Sequence, residues 1–326
     1  MSKSENGPRI GATDLMMLFT VLIWAVNISL VKYALRDFPP HAFNGIRLVL
    51  ASGIYAAILA SGRDGFRLGK ADFWKVAGVS LLGVTLYQLC FIHGITRTTA
   101  STTSMIAPMT PVFIALLSSF FKMERISRAG WMGIAVSFAG FYGVIAGQTG
   151  GRLSFSGETF KGDIFILLAN LLWAGYTVFS QPLLQRMSPV KLAGLTTIYG
   201  TAVYLPFAAS DLSREGWWRA SWQSWSLLVF SGVMAIVVGF IIWYRSVQKV
   251  GNTKTGIYSN LNPVFATIVA ILFLGEKITT LQVGGMLVIF FGVWLTRSGY
   301  RLFGRSSARH AAPSAPAASA PEFDRE

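Results

Sequence analysis

Asn27 follows Trp24 by three positions and Tyr176 follows Trp173 by three, so on a helix each indole ring shares a face with a polar group. Gln88, beside Tyr87, and Trp243, beside Tyr244, fall inside other apolar runs. Thr255, Tyr258, Ser259 and Asn262 lie at helical spacing and would form one polar stripe down an otherwise apolar segment, with a thinner counterpart in Thr103, Ser104 and Thr110. Polar groups in such surroundings need either a partner or a job. Rings with one polar edge suit amphipathic small molecules, through stacking or contact with a cation. The candidate binding set is therefore Trp24, Asn27, Gln88, Trp173, Tyr176, Trp243, Thr255, Tyr258, Ser259 and Asn262. Hydrogen bonds between helices, worth about 0.6 kcal/mol each, are the alternative use for any one of these groups.

Lys32, Arg47 and His93 form a second candidate group, a vestibule that would favour a carboxylate through charge-assisted hydrogen bonds. Snorkelling of the cations to lipid headgroups is the competing use. Catalysis is not expected. The three histidines, His41, His93 and His310, have no acid beside them at midspan, and no metal cluster or nucleophile with a base is evident. No cofactor is expected, and Cys90 has no second cysteine to pair with.

The elements that carry these residues follow from composition. Of 326 residues, 53% are hydrophobic and only 13% charged, and the mean hydropathy is +0.53. A soluble domain carries about a quarter charged residues. The charges are gathered in islands, leaving charge-free runs at 76–96, 98–121, 129–151, 164–185, 192–210, 220–244, 255–275 and 278–296. Each is close to the ~20 residues that cross a bilayer as a helix. Two shorter runs, 15–31 and 48–62, are flanked by Lys32 and Arg47, which would sit near helix ends. Ten spans are expected.

The spans come in two sets. PVFIALLSSFFKMERI, from Pro111 to Ile126, recurs as PVFATIVAILFLGEKI, from Pro263 to Ile278. The same offset of 152 pairs Gly133 with Gly285 and Gly140 with Gly292, while an offset of 149 pairs Trp24 with Trp173 and Pro40 with Pro189. This is an internal duplication. Five spans per copy is an odd number, so the second copy enters the membrane upside down. The fold class expected is an all-α polytopic membrane protein, ten transmembrane helices as two inverted five-helix repeats. Inverted repeats commonly build alternating-access carriers with the site between the halves. Pro108, Pro111 and Pro263 should kink their helices, and the paired glycines should let the fifth helices of each copy pack closely.

Charge sets the orientation. With the N-terminus inside, 19 of the Lys and Arg residues face the cytoplasm and 8 face outward, as the positive-inside rule demands. The net charge of +14 then serves orientation and contact with anionic lipid, and no basic soluble surface for nucleic acid is apparent. The divisions expected are a cytoplasmic tail (1–13), a first repeat (14–147), an outside linker (148–160), a second repeat (161–297) and a cytoplasmic basic tail (298–326), disordered over 306–321 where Ala, Pro and Ser dominate. Residues 1–13 lack a signal-peptide layout. Trp217 and Trp218 should mark a membrane interface.

Ten spans in two five-helix copies, a Trp in the first helix of each (Trp24, Trp173) and the repeated P-V-F to E-R/K-I pieces resemble the EamA-like branch of the drug/metabolite transporter superfamily. The resemblance covers about residues 12–298. It implies a multi-pass bacterial inner-membrane carrier with a cavity lined by helices 1, 3, 4, 6, 8 and 9. Within that family, export of small amphipathic metabolites is expected, amino acids first. An importer, a multidrug efflux carrier or a non-transporting receptor remain the other readings. Both termini would be cytoplasmic, and one chain would hold a complete two-half carrier, so a monomer suffices. Each of the 14 acids falls in a loop, a tail or a helix end, which favours facilitated diffusion or weak coupling over proton antiport through a buried acid. Glu124–Arg125 and Glu276–Lys277 end matching helices on opposite faces and are candidate gates or plain helix ends.

Overall fold

The computed structural model describes residues 12–62, 65–121, 126–148, 157–214, 216–251, 255 and 258–309, without the side chains of residue 259 and residues 297–309. The polar N-terminal tail, the Glu124–Arg125 pair, most of the 148–160 linker and the Ala/Pro/Ser segment past Arg309 lie outside them. The described residues are helical, and we number the helices α1 (Ala12–Ala34), α2 (Pro40–Ser61), α3 (Lys70–Arg97), α4 (Ala100–Phe120), α5 (Arg128–Gln148), α6 (Glu158–Leu184), α7 (Pro189–Leu212), α8 (Trp222–Val250), α9 (Asn262–Leu274) and α10 (Thr280–Arg309). The first eight are long and apolar enough to cross a membrane. α9 is a shorter apolar helix, and so is the Thr280–Thr296 part of α10.

The two spans expected to be short are full length. Charge-free runs undercount α1 and α2 because Asp14, Lys32 and Arg47 lie within the helices. Pro40 and Pro189 start α2 and α7 at a position where the missing N–H has no helical acceptor to lose. α10 runs to Arg309, beyond the expected end of the second repeat at 297 and into the stretch expected to be disordered.

The expected proline kinks are breaks. α4 is helical over Ala100–Ile106, turns at Ala107 and Pro108, and restarts at Met109. A 3₁₀ turn, Ser259–Leu261, precedes α9, which starts at Asn262 with Pro263 behind it. Pro111 and Pro263 thus fall in the first turn of a restarted helix, where no donor is missed. The stretch expected to carry the polar stripe thus changes helix type at Ser259–Leu261, before Asn262. α3 and α8 carry π-helical stretches, Leu81–Leu86 and Ser231–Val238, each beside residues that line the central cavity described below. Such insertions often mark functional sites.

Packing pairs α5 with α10, α2 with α7, α4 with α9, α1 with α8 and α9, and α6 with α3 and α4. Along α5 and α10, Gly133 meets Gly292 and Gly140 meets Gly285, so these helices run antiparallel. A Cβ on Gly140 would lie 2.7 Å from the Gly285 carbonyl oxygen, so only a hydrogen fits there. Ser52 Oγ donates to Thr201 Oγ1 at 2.9 Å where α2 crosses α7.

Candidate functional site

A central cavity of about 120 Å³ opens between α1, α2, α3, α4, α6, α8 and α9. About a tenth of that space holds one water by the same measure, so a small organic molecule fits. Its apolar wall is largely aromatic: Trp24, Tyr87, Phe91, Trp173 and Phe240. Trp24 and Trp173 meet edge to face with centroids 5.6 Å apart, and Tyr87 packs on Trp173 at 5.3 Å. Trp24 Nε1 donates to the Ala235 carbonyl at 2.9 Å, inside the π-helical stretch of α8, which fixes the ring.

The polar groups on the wall are Asn27, Arg47, Gln88, Thr103, Thr110, Asn170 and Asn262. Arg47 is the unexpected one. It is the eighth residue of α2 and 2% exposed, so it does not snorkel, and the outer-vestibule expectation fails for it. Its Nε donates to Asn44 Oδ1 at 2.7 Å, Nη1 to Ser231 Oγ at 2.7 Å and Nη2 to Gln88 Oε1 at 2.8 Å. All three acceptors are neutral. None of the four ion pairs among the described residues involves Arg47. A guanidinium has five N–H groups and stays charged. The cavity wall thus carries a positive charge with donors to spare and no carboxylate beside it.

Asn27 Oδ1 and Asn262 Oδ1 accept no hydrogen bond, and both residues are 8% exposed. Thr110, by contrast, donates to Asn170 Oδ1 at 2.8 Å. Asn170 was absent from the expected set, although it lies three residues before Trp173 and so shares its helix face.

Of the ten candidates, the cavity brings together Trp24, Asn27, Gln88, Trp173 and Asn262. Tyr176 and Trp243 stand behind the wall, packed on Trp173 at 5.1 and 5.7 Å. Thr255 bonds Ser246 at 2.9 Å and the Gly251 carbonyl, and Tyr258 donates to Asp14 at the start of α1, so neither reaches the cavity. The Ser259 side chain is outside the described residues.

Lys32 and His93 are not gathered with Arg47. Lys32 donates to the carbonyls of Ile95 and Thr98 at 2.6 and 2.7 Å, capping the C-terminus of α3. His93 packs against His41 with centroids 4.8 Å apart. Around Lys32 lies a polar seam. Glu276 accepts from the Ala100 and Ser101 amides at 2.8 Å and from the Ser101 hydroxyl, at the N-terminus of α4. Gly275, at φ 67°, closes the end of α9 and turns Glu276 back toward α4. Asp163 is fully buried and accepts from Thr98 at 2.5 Å and from Gln148 at 2.8 Å. It stands near its helix end as expected, but it is an acid hidden from the surface.

Together these features define a multi-pass helical membrane protein built around a small-molecule cavity. The model of the EamA-like transporter family matches the chain in two pieces, residues 11–146 and 160–298. The chain belongs to that family. It is 23% identical to an uncharacterized transporter of Archaeoglobus fulgidus over 86% of this chain and 97% of the relative. It is 25% identical to the uncharacterized transporter YetK of Bacillus subtilis, over 83% and 82%. A probable terminal-alkyne amino-acid exporter of Streptantibioticus cattleyicolor is 26% identical over 84% and 89%. A crystal structure of another protein superposes with a TM-score of 0.65 at 19% identity, covering 90% of this chain and 98% of that one, a likeness of fold.

Proposed function

We propose that this protein is an alternating-access carrier of the bacterial inner membrane that exports small amphipathic metabolites, amino acids first. In this reading ten helices cross the bilayer as two inverted repeats with both termini cytoplasmic, and one chain is the working unit. The observation that carries it is the cavity wall, where Trp24 and Trp173, matched at an offset of 149, meet at 5.6 Å. Residues related by a pseudo-two-fold axis touch only close to that axis. The packing follows the same rule: α1 on α8 and α9 is answered by α6 on α3 and α4, while α5 with α10 and α2 with α7 are self-matched pairs. Ser52 and Thr201, bonded to each other, also differ by 149. Helices broken at matching places, as at Ala107–Pro108 and Ser259–Leu261, are a common means of building carrier sites. Family membership and a relative named as a probable amino-acid exporter support the choice of cargo.

The test is reconstitution of the full chain in liposomes loaded with a labelled amino-acid mixture. Saturable release above that of protein-free vesicles is expected. A chain that binds amino acids but releases none would overturn the carrier reading in favour of a receptor.

A further inference from the structure

Asp14 and Asp163 stand 149 positions apart, the spacing that also matches Trp24 with Trp173. Asp14 lies in the first turn of α1 and accepts from the Tyr258 hydroxyl, just before the 3₁₀ turn that leads into α9. Asp163 lies in the second turn of α6. It accepts from Thr98 Oγ1 at 2.5 Å, just before α4, and from Gln148 Nε2 at 2.8 Å. Asp14 and Thr98 belong to the first piece matched by the family model, Tyr258 and Asp163 to the second. Each acid thus ties the first helix of its own piece to the approach of the fourth helix of the other. The ties sit at opposite ends of the bundle. Lys32, 18 positions after Asp14 on α1, donates to the Thr98 carbonyl at 2.7 Å, so about 27 Å of helix separates them. The cavity lies between, with Asn27 of α1 and Thr103 of α4 on its wall.

A carboxylate buried without a cation is a poor fastener, since apolar packing would hold the same helices at less cost. Asp163 is such a group: it is fully buried, and none of the four ion pairs among the described residues includes it. It is suited instead to letting go, because water replaces the hydrogen bonds of a released carboxylate. Beside each tie stands a break that can act as a hinge, Ala107–Pro108 after Ala100–Ile106 and Ser259–Leu261 ahead of α9. Resting on the carrier reading above, we infer that Asp14 and Asp163 are matched latches of alternating access, one closing each end of the cavity. Release at Asp163 frees Ala100–Ile106 to swing about Ala107–Pro108 and uncovers Thr103. Release at Asp14 frees the approach to α9. Glu276, on the Ala100 and Ser101 amides, holds the same end as Asp163. Both latches are engaged in this structure, which corresponds to the state between the two openings.

The test is access to the cavity from each side of the membrane. Ala169 on the cavity wall is changed to cysteine, Ala169→Cys, in a full chain whose own thiol is removed by Cys90→Ser. A membrane-impermeant maleimide is added to right-side-out and to inverted membrane vesicles. Asp163→Ala should speed labelling at least about tenfold in one kind of vesicle only, the weight of one hydrogen bond to a charged group. Asp14→Ala should do so only in the other kind. Thr98→Val and Tyr258→Phe, which each remove one hydroxyl, should repeat the two patterns by at least about threefold, and they decide the matter if the aspartate variants fail to fold. Ties that only fasten helix ends would leave the cavity cysteine as slow as before. Labelling unchanged in every variant, or faster in both kinds of vesicle, overturns the inference. One-sided opening in a protein that releases nothing from liposomes would overturn only the carrier reading.

Discussion

Asn27 and Arg47 in the first half match Tyr176 and Thr196 in the second, 149 residues on, yet the two pairs behave differently. Tyr176 and Thr196 hydrogen-bond each other at 3.0 Å, and both are wholly buried away from the cavity. Asn27 and Arg47 both line the cavity, one with an open acceptor and the other with a charge that no acid answers. A further matched pair is split the other way. Thr110 is satisfied by Asn170, whereas Asn262, its counterpart at offset 152, is open. Residues matched in sequence thus carry polar groups in unequal states. Where the two copies satisfy each other or themselves, the residues hold helices together; where a partner is missing, as at the Asn27 and Asn262 amide oxygens, they do not.

The largest effect that could break this comparison is at its charged member. Arg47→Gln should lower saturable release of the labelled amino acids from liposomes by about tenfold or more, since it removes the cation on the cavity wall. Thr196→Val, the change at the matched position, should leave that release within about twofold and cost about 1 kcal/mol of stability, read as a lower unfolding midpoint. Equal losses of release from both would mean that the matched positions are not divided in this way.

A substitution in the α5–α10 seam should separate packing from binding. On Gly140 a Cβ would lie 2.6 Å from the Ile289 amide nitrogen and 2.7 Å from the Gly285 carbonyl, backbone atoms that cannot swing aside. Gly140→Ala is expected to destabilise by about 1–3 kcal/mol, measured by thermal unfolding, with release per folded protein intact.

Glu276→Gln is expected to cost about 1 kcal/mol, because the carboxylate meets two amides at the positive end of α4. Affinity in the cavity should not change. Release rates in liposomes then decide whether this cap also gates, and unchanged rates exclude a gate there.

The smallest effect lies in the turn between α1 and α2. Hydrogen bonds from the Ser221 hydroxyl, the Ser224 hydroxyl and the Ser221 amide hold the Asp37 carboxyl below the usual carboxylate range. A depressed folded-state value means that the tether is fully present above the ordinary carboxylate pKa and is lost as pH falls through the depressed one. Hydrogen exchange at the start of α8 should therefore quicken in acid, and Asp37→Asn should remove that pH dependence. A rate that follows pH identically in both proteins would refute the tether.

Much of the architecture was legible without coordinates because bilayer crossing imposes a length and a polarity that few chains meet by accident. The runs between charges located the helices. The charge rule misjudged α1 and α2, since a cation counts as a boundary in sequence whether or not it is buried. Spacing placed Asn27 with Trp24 on what is the cavity wall, but it also chose Tyr258 and Thr255, whose hydroxyls are used by Asp14 and Ser246. Whether a polar residue is spent or spare depends on the neighbour that the fold brings to it, nine positions away for Thr255 and 244 for Tyr258.

The sequence by itself determined a multi-pass helical membrane protein, because hydrophobic length is a local property of the chain. Only the tertiary structure decided that Arg47 faces the centre. Its three acceptors come from its own helix, from α3 and from α8, and burial without a counter-ion emerges only when those helices are brought together.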